Sequence, residues 1–208
     1  MGPQDGDLAP DFSLDGVPPA AYHLSEQRGK VVVLAFYPGD FTPVCVRQLT
    51  DYEEQREKLV ATGATLWAVS SDRLEKHERM AKSYALSFPL LSDPDGQVAG
   101  LYGVRTLMGT ARRALFLIDQ KGVIRYQREE PLSLTYRSVD DILQALRDSG
   151  LLEGAQAVAT GESEAGARAA VRAASEGEHP GDDESAAPSS DAEEDASLPE
   201  PTATSSRP

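Results

Sequence analysis

A predicted strand, loop and helix in direct succession constrain the fold more than any other part of the sequence. Residues 31–36 form a short, apolar, β-branched run, which predicts a buried strand. Pro38 and Gly39 end that strand. Pro43 then favours the start of a helix, because proline is tolerated in the first turn, where its missing N–H costs nothing. A helix is therefore predicted over about residues 43–61.

The only cysteine of the 208 residues, Cys45, falls in the first turn of this predicted helix. Free N–H groups and the positive end of the helix dipole favour an anion there, so the nucleophilic thiolate form is expected to be stabilised. Thr42 lies three residues earlier and can direct its hydroxyl at the sulfur or at a bound oxygen, while Pro38 can cover one side of it. A lone cysteine is commonly a buried structural residue, but this placement favours a reactive one.

The remaining hydrophobic pattern alternates strands and helices. Asp72 is expected to cap the helix that follows the second buried strand. The first ten residues are expected to form an exposed, loosely held arm. The predicted strands cover residues 11–14, 22–24, 65–70, 114–119 and 123–127, and the later helices cover about 73–84, 97–102 and 139–148. This order predicts an α/β domain with a central sheet and helices on both faces.

The composition changes after about residue 154. Residues 155–208 contain twelve Asp and Glu against three Arg, so they hold −9 of the net charge of −14, and they contain no aromatic residue. Such a segment buries too little apolar surface to offset its ordering entropy, which predicts a domain over 1–154 and a disordered acidic tail over 155–208.

Charge and composition also exclude several partners and locations. An acidic chain does not attract nucleic acid or anionic lipid, and no apolar run is long enough to span a membrane. The first residues lack the basic and apolar segments of a secretory signal. A single cysteine excludes an intrachain disulfide framework. A cytoplasmic location is therefore expected.

The segment PGDFTPVC, residues 38–45, is similar to the active-site pattern Pro-x-x-x-Thr-x-x-Cys of the peroxiredoxins. Three other segments resemble peroxiredoxin sequences in the expected order: GDLAPDFSLDG, FPLLSDPDGQVAGLYGV and RALFLIDQKGVIRY. The resemblance covers roughly residues 6–150. By its single cysteine and its RALFLID segment, the chain most resembles the one-cysteine peroxiredoxins of the alkyl hydroperoxide reductase E type, within the AhpC/TSA group.

This resemblance implies a thioredoxin-like fold with a central mixed sheet, and a thiol peroxidase activity at Cys45. It implies that the Thr42 hydroxyl contacts the peroxide and that Pro38 shields the thiolate. It also places a catalytic arginine immediately before the apolar strand that ends in Asp119, which makes Arg113 the expected cation. Adjacent side chains of an extended segment point to opposite faces, so only one of Arg112 and Arg113 can reach the sulfur.

Gln48 stands where many members of the family carry a glutamate that orients the arginine. A glutamine accepts a hydrogen bond through its carbonyl but brings no charge. Gln48 is therefore a departure from the family pattern.

The same resemblance bears on the partners. A subgroup of two-cysteine relatives has its resolving cysteine five residues after the first, and this chain has Thr50 there. The oxidised Cys45 must then be reduced by an external thiol or a thioredoxin- or glutaredoxin-like protein. The resemblance implies a homodimer. No cofactor is expected, and the scattered His23, His77 and His179 predict no metal site.

Three other functions are compatible with parts of this pattern. A thioredoxin-like disulfide oxidoreductase would need Cys-x-x-Cys, and the chain has Cys45-Val-Arg-Gln48. A non-turnover peroxide sensor, or a redox interaction protein, would use the same cysteine without a reductant. A binding module without chemistry would have no reason to keep Pro38, Thr42, Cys45 and Arg113 together.

Overall fold

The computed structural model describes residues 2–130 and 134–152. The predicted acidic tail and the domain boundary at residue 154 lie outside these ranges. The strands are Ser13–Val17 (β1), Ala20–His23 (β2), Val32–Phe36 (β3), Thr65–Ser70 (β4), Leu90–Ser92 (β5), Arg113–Ile118 (β6) and Ile124–Glu130 (β7). The α-helices are Pro43–Glu54 (α1), Arg56–Val60 (α2), Leu74–Tyr84 (α3), Gln97–Leu101 (α4) and Val139–Asp148 (α5), and a 3₁₀ helix covers Leu24–Gln27.

The strands form one mixed sheet in the order β2-β1-β5-β4-β3-β6-β7. β4 runs parallel to both β3 and β5, whereas β1–β2, β1–β5, β3–β6 and β6–β7 are antiparallel pairs. The sheet is therefore centred on β3 and β4, as the two apolar runs of the sequence predict.

Alternate residues of the central strands supply two separate hydrophobic cores. Val33 and Ala35 of β3 belong to the core that includes buried side chains of α1, α2, α3 and α5. Val32 and Leu34 belong to the core on the other face, which includes side chains of α4. Every residue of β3 is buried, because helices cover both faces of the sheet at its centre.

The antiparallel pairing of β3 with β6 brings the loop after β3 beside the start of β6. Phe36, the last residue of β3, pairs with Ala114, the second residue of β6. Residues that follow β3 therefore lie beside Arg113, although some seventy positions separate them in the sequence.

Two predictions about helix ends are wrong. The helix expected over residues 43–61 is interrupted at Gln55, whose backbone angles (φ −108°, ψ 15°) leave the helical range, so α1 and α2 are separate. Asp72 does not cap α3. The N-cap position is held by Arg73, with no side-chain cap, because the Asp72 carboxylate instead binds the amide of Asp40 and the ammonium of Lys76.

Residues 6–9 are also better held than the arm predicted for residues 1–10. The amide of Gly6 donates to the carbonyl of Ile124 at 2.8 Å, the amide of Ile124 donates to Asp7 at 2.9 Å, and the amide of Ala9 donates to Gly122 at 2.9 Å. The turn before β7 and the first residue of that strand thus supply backbone partners for this segment, and Ala9 is buried in the second core.

The last helix has the predicted bounds. Ser138 and Asp141 form a reciprocal capping box at its start, in which each side chain accepts a hydrogen bond from the other residue's amide. Ile142 and Leu146 are fully buried, while Leu143 is half-buried. Within residues 2–130 and 134–152, no helix has the length and apolar character needed to cross a membrane.

Candidate active site

Cys45 lies in the first turn of α1, shortly after the loop that joins β3 to this helix. Pro43 occupies the start of the helix, and Thr42 is its N-cap residue, with extended backbone angles (φ −78°, ψ 141°). The amide of Val46 donates to the carbonyl of Thr42 at 2.9 Å, which closes the first turn around the cysteine. The thiol is free, and the exposed fraction of Cys45 is 0%.

Arg113 reaches this sulfur from the neighbouring strand. Its Nη2 donates to Cys45 Sγ at 3.1 Å, and the arginine is buried with an exposed fraction of 2%. Arg113 lies on the same face of β6 as Leu115 and Leu117, which pack in the same core as Cys45. Its neighbour Arg112 is directed elsewhere.

The Arg112 side chain donates from Nη2 to the carbonyl of Gly103 at 2.9 Å and forms an ion pair with Glu129 at 2.7 Å. Arg112 stands immediately before β6, and the two adjacent arginines thus have different partners. Only Arg113 is placed against the sulfur.

Gln48 and Tyr52 continue the contacts of Arg113 along the buried side of α1. Arg113 Nη1 donates to Gln48 Oε1, and Gln48 Nε2 donates to the Tyr52 hydroxyl at 2.9 Å. The Tyr52 hydroxyl donates in turn to the carbonyl of Arg137 at 3.0 Å. Burial raises the pKa of Tyr52 well above that of a free tyrosine, so its hydroxyl remains a donor at neutral pH.

Thr42 and Pro38 are the other two residues predicted for the site. The Thr42 hydroxyl donates to the carbonyl of Gly39 at 3.1 Å and makes no cap bond to the helix. Its side chain is exposed, and Pro38 is half-buried. The predicted contact of Thr42 with a peroxide, and the shielding by Pro38, stay predictions.

A buried polar cluster holds the loop between β3 and α1. Asp40 accepts a hydrogen bond from the Tyr37 hydroxyl at 2.7 Å through Oδ1, and its Oδ2 lies 2.7 Å from His77 Nδ1. His77 Nε2 lies 3.2 Å from the carbonyl of Leu91, so Nε2 carries a proton. The side chains of both Asp40 and His77 have an exposed fraction of 0%.

The Asp72 carboxylate binds the same loop through the backbone amide of Asp40. The amide of Asp40 donates to Asp72 Oδ2 at 2.5 Å, and Lys76 donates to the other carboxylate oxygen at 2.8 Å. The loop that carries Pro38 and Thr42 is therefore bound at two points, by the Asp40 side chain to His77 of α3 and by the Asp40 amide to Asp72 just before that helix.

A family model described as the AhpC/TSA family matches residues 6–127, which is more than half of the sequence. The chain belongs to the AhpC/TSA family. The family-level resemblance of the sequence is thus confirmed.

Two curated relatives carry more specific names. The chloroplastic peroxiredoxin Q of Triticum aestivum is 38% identical over 123 residues, which are 58% of this chain and 57% of the wheat protein. Peroxiredoxin Bcp of Escherichia coli K12 is 35% identical over 128 residues, which are 58% of this chain and 82% of that protein. This AhpC/TSA chain therefore spans little more than half the length of the wheat relative that it matches.

A solved structure supports the fold. The crystal structure of Enterococcus faecalis AhpC matches with a TM-score of 0.66 and 25% identity, over 72% of this chain and 93% of that one. This similarity confirms the α/β thioredoxin-like fold with a central mixed sheet.

The sequence does not mark three buried residues around this AhpC/TSA site as site residues. The scattered positions of the three histidines predict no role for His77, although its spacing of three residues from Met80 places both on the buried side of α3. Tyr52 lies on the buried face of α1 and Asp40 in the loop before this helix, and no sequence motif marks either as a site residue. Periodicity signalled burial for the two helical residues, but no local pattern gave their partners. Within the described parts of the chain, no group of three or more His, Cys, Asp or Glu residues could hold a metal ion.

Proposed function

We propose that this AhpC/TSA protein is a thiol peroxidase that reduces hydrogen peroxide and organic hydroperoxides, with Cys45 as its nucleophile. The observation that carries the proposal is the 3.1 Å contact between Arg113 Nη2 and the buried Cys45 Sγ. A fixed guanidinium there favours the thiolate and stabilises the negative charge that develops on the leaving oxygen. The first turn of α1 adds a positive helix end beside the same sulfur.

In the proposed reaction, the Cys45 thiolate attacks the terminal oxygen of the hydroperoxide. An S–O bond forms while the O–O bond breaks, and the electron pair of that bond leaves with the other oxygen of the peroxide as an alkoxide or hydroxide. Protonation of this leaving group gives an alcohol or water, and the cysteine becomes a sulfenic acid. The sulfur is oxidised by two electrons and the peroxide is reduced by two.

Access to the sulfur requires a movement of the surrounding loop. Cys45 has an exposed fraction of 0%, so no molecule the size of water touches it in this structure. The loop of residues 38–42 lies between β3 and α1, next to the cysteine. We propose that opening of this loop admits the peroxide.

The single cysteine supports a one-cysteine cycle. An external thiol would attack the sulfenic acid to give a mixed disulfide and water, and a second thiol would then release reduced Cys45. A low-molecular-weight thiol or a thioredoxin- or glutaredoxin-like protein has this chemistry. The finer assignment to the alkyl hydroperoxide reductase E type rests on the single cysteine and on RALFLID, whereas the two curated relatives carry the names Q and Bcp.

Cytoplasmic location and homodimer formation are further parts of the proposal. The lone cysteine supports a reducing compartment, and the resemblance to peroxiredoxins supports the dimer. The net charge of −14 supports the absence of nucleic-acid and anionic-membrane partners.

The decisive experiment compares the reduced protein with its Cys45→Ser variant. We expect wild type to be oxidised by hydrogen peroxide at least about a hundredfold faster than free cysteine, the scale that one positioned donor contributes to catalysis. The Cys45→Ser variant should be inert. Stopped-flow measurement of peroxide consumption, with mass spectrometry of the trapped sulfenic acid, gives both results. An alkyl hydroperoxide in parallel ranks the substrates.

Two outcomes would contradict parts of this proposal. Oxidation of wild type no faster than that of free cysteine would overturn the peroxidase function. Fast oxidation without steady-state turnover in the presence of thiols, thioredoxin or glutaredoxin would instead favour a peroxide sensor or redox interaction protein.

Deletion of residues 155–208 should leave the rate of peroxide reduction unchanged. The site residues Cys45, Arg113, Gln48 and Tyr52 make their described contacts within residues 45–137. The same stopped-flow assay on full-length and truncated protein checks this expectation. A large loss of activity with an unchanged circular dichroism spectrum would show that the tail contributes to the site.

A further inference from the structure

We propose that Tyr52 is a positioning residue for Arg113, acting through Gln48 in a hydrogen-bond relay that requires a glutamine rather than a glutamate. The inference deepens the proposed function and rests on it. The relay is defined as Arg113, Gln48, Tyr52 and the carbonyl of Arg137, in that order.

The donors and acceptors of the relay fix the direction of each of its hydrogen bonds. A guanidinium only donates, so the atom of Gln48 that faces Arg113 is the carbonyl Oε1. This orientation turns the Nε2 group, which also only donates, toward the Tyr52 oxygen at 2.9 Å. The tyrosine hydroxyl then accepts from the amide and sends its own hydrogen to the Arg137 carbonyl at 3.0 Å.

A glutamate at position 48 could not occupy the same relay. An ionised carboxylate has no hydrogen to give, so the Tyr52 hydroxyl would have to donate to it. The carbonyl of Arg137 would then lose the hydrogen bond that it receives from Tyr52. The departure at position 48 is thus matched by the tyrosine four residues later on the same buried face of α1.

The far end of the relay is anchored to a fixed part of the backbone. Arg137 precedes the capping box of α5, and the amide of Val139 in that helix donates to Asp51 of α1 at 3.2 Å. The Tyr52 ring is fully buried and packs against Phe88, with ring centroids 6.4 Å apart. The hydroxyl therefore has a defined position from which to hold the Gln48 amide.

Loss of the Tyr52 hydroxyl should release that amide. Gln48 would be free to rotate about its terminal torsion, and the oxygen that holds Arg113 Nη1 would no longer be fixed. Because Nη1 and Nη2 belong to one planar guanidinium, a change at Nη1 alters the donation from Nη2 to Cys45 Sγ. The expected effect is on the reactivity of the cysteine, since Tyr52 itself does not contact the sulfur in any described hydrogen bond.

The test compares Tyr52→Phe with Tyr102→Phe. Both tyrosines are buried and both hydroxyls donate to a backbone carbonyl at 3.0 Å, but Tyr102 lies in the core on the other face of the sheet and donates to Pro10. Two readouts are followed: the rate of Cys45 oxidation by hydrogen peroxide, and the pH profile of Cys45 alkylation by iodoacetamide. The second readout reports the thiolate without any peroxide chemistry.

We expect Tyr52→Phe to lower the oxidation rate about tenfold, the scale of one buried hydrogen bond, and to move the alkylation profile to higher pH. Tyr102→Phe should leave both unchanged at a similar loss of stability. In a Gln48→Leu background, Tyr52→Phe should have no further effect, because the relay is already broken. This dependence on Gln48 distinguishes a role of Tyr52 in positioning Arg113 from a general effect of the substitution on core packing.

Three results would overturn the relay. They are wild-type behaviour of Tyr52→Phe in both readouts, an equal effect of Tyr102→Phe, and an unchanged effect of Tyr52→Phe in the Gln48→Leu background. If Tyr52→Phe does not fold, an unshifted alkylation profile in folded Gln48→Leu overturns it as well. Failure of wild type to react with peroxide would overturn the proposed function instead, and the alkylation profiles would still test the relay.

Discussion

Replacement of Arg113 by alanine should slow the oxidation of Cys45 by hydrogen peroxide by about a hundredfold to a thousandfold. This is the loss expected when one positioned donor to the developing charge is removed from a buried site. The arginine is the group that contacts Sγ at 3.1 Å, and both the thiolate and the leaving oxygen lose its charge in the variant. The same stopped-flow assay that tests Cys45→Ser measures this rate.

Two further variants give this prediction its controls. Arg112→Ala removes an equal charge one residue away, but its contacts are with Gly103 and Glu129, so the rate should change little. Arg113→Lys keeps the charge but lacks the planar fork that serves Sγ and Gln48 together, so its rate should lie between those of wild type and Arg113→Ala. Equal losses for Arg112→Ala and Arg113→Ala would mean that overall charge, rather than the contact, supports the reaction.

The contact between Cys45 and Arg113 could be predicted from the sequence for two physical reasons. The period-2 geometry of a strand required Arg112 and Arg113 to point to opposite faces. The succession of a buried strand, a proline-glycine break and a proline-initiated helix placed Cys45 in a first turn. Strand geometry alone did not decide which of the two arginines faces Cys45. The resemblance to the peroxiredoxin motif selected Arg113.

The sequence did not predict the partner of Asp72, the break at Gln55 or the contact of His77, and two of these three features depend on residues that are distant in the sequence. Asp72 has the residue type and the position of a helix cap, yet the amide of Asp40, 32 residues earlier, occupies its carboxylate. The break at Gln55 has no glycine or proline to mark it. His77 contacts Asp40 across 37 residues, a pairing that hydrophobic periodicity does not encode.

That buried pair leads to the second large effect, which is on stability. Replacement of His77 by leucine should lower the free energy of unfolding by about 3–5 kcal/mol, because the Asp40 carboxyl group would stay fully buried without its imidazole partner. Asp40 would keep its bond from Tyr37 but lose its contact at 2.7 Å with the imidazole, and the carbonyl of Leu91 would lose its donor. Urea unfolding followed by the fluorescence of the buried Trp67 measures the change.

Lys76→Met is the matched control on the same helix. Lys76 is the neighbour of His77, and its ion pair with Asp72 is partly exposed, so its loss should cost about 0–1 kcal/mol. A similar cost for both variants would mean that the buried pair contributes no more than an exposed one.

Asp40→Asn should be far milder than His77→Leu, because an amide can replace every side-chain hydrogen bond of the carboxylate without a charge. His77 Nε2 must carry a hydrogen to bond the Leu91 carbonyl, so a neutral imidazole presents Nδ1 as an acceptor. The introduced side-chain amide could donate to that Nδ1, while its oxygen accepts from Tyr37. Asp40→Ala offers neither group and should lose about 3–5 kcal/mol. If Asp40→Asn unfolds as easily as Asp40→Ala, the loop beside Cys45 depends on a charged pair; if it is nearly as stable as wild type, hydrogen bonding alone holds the loop in place.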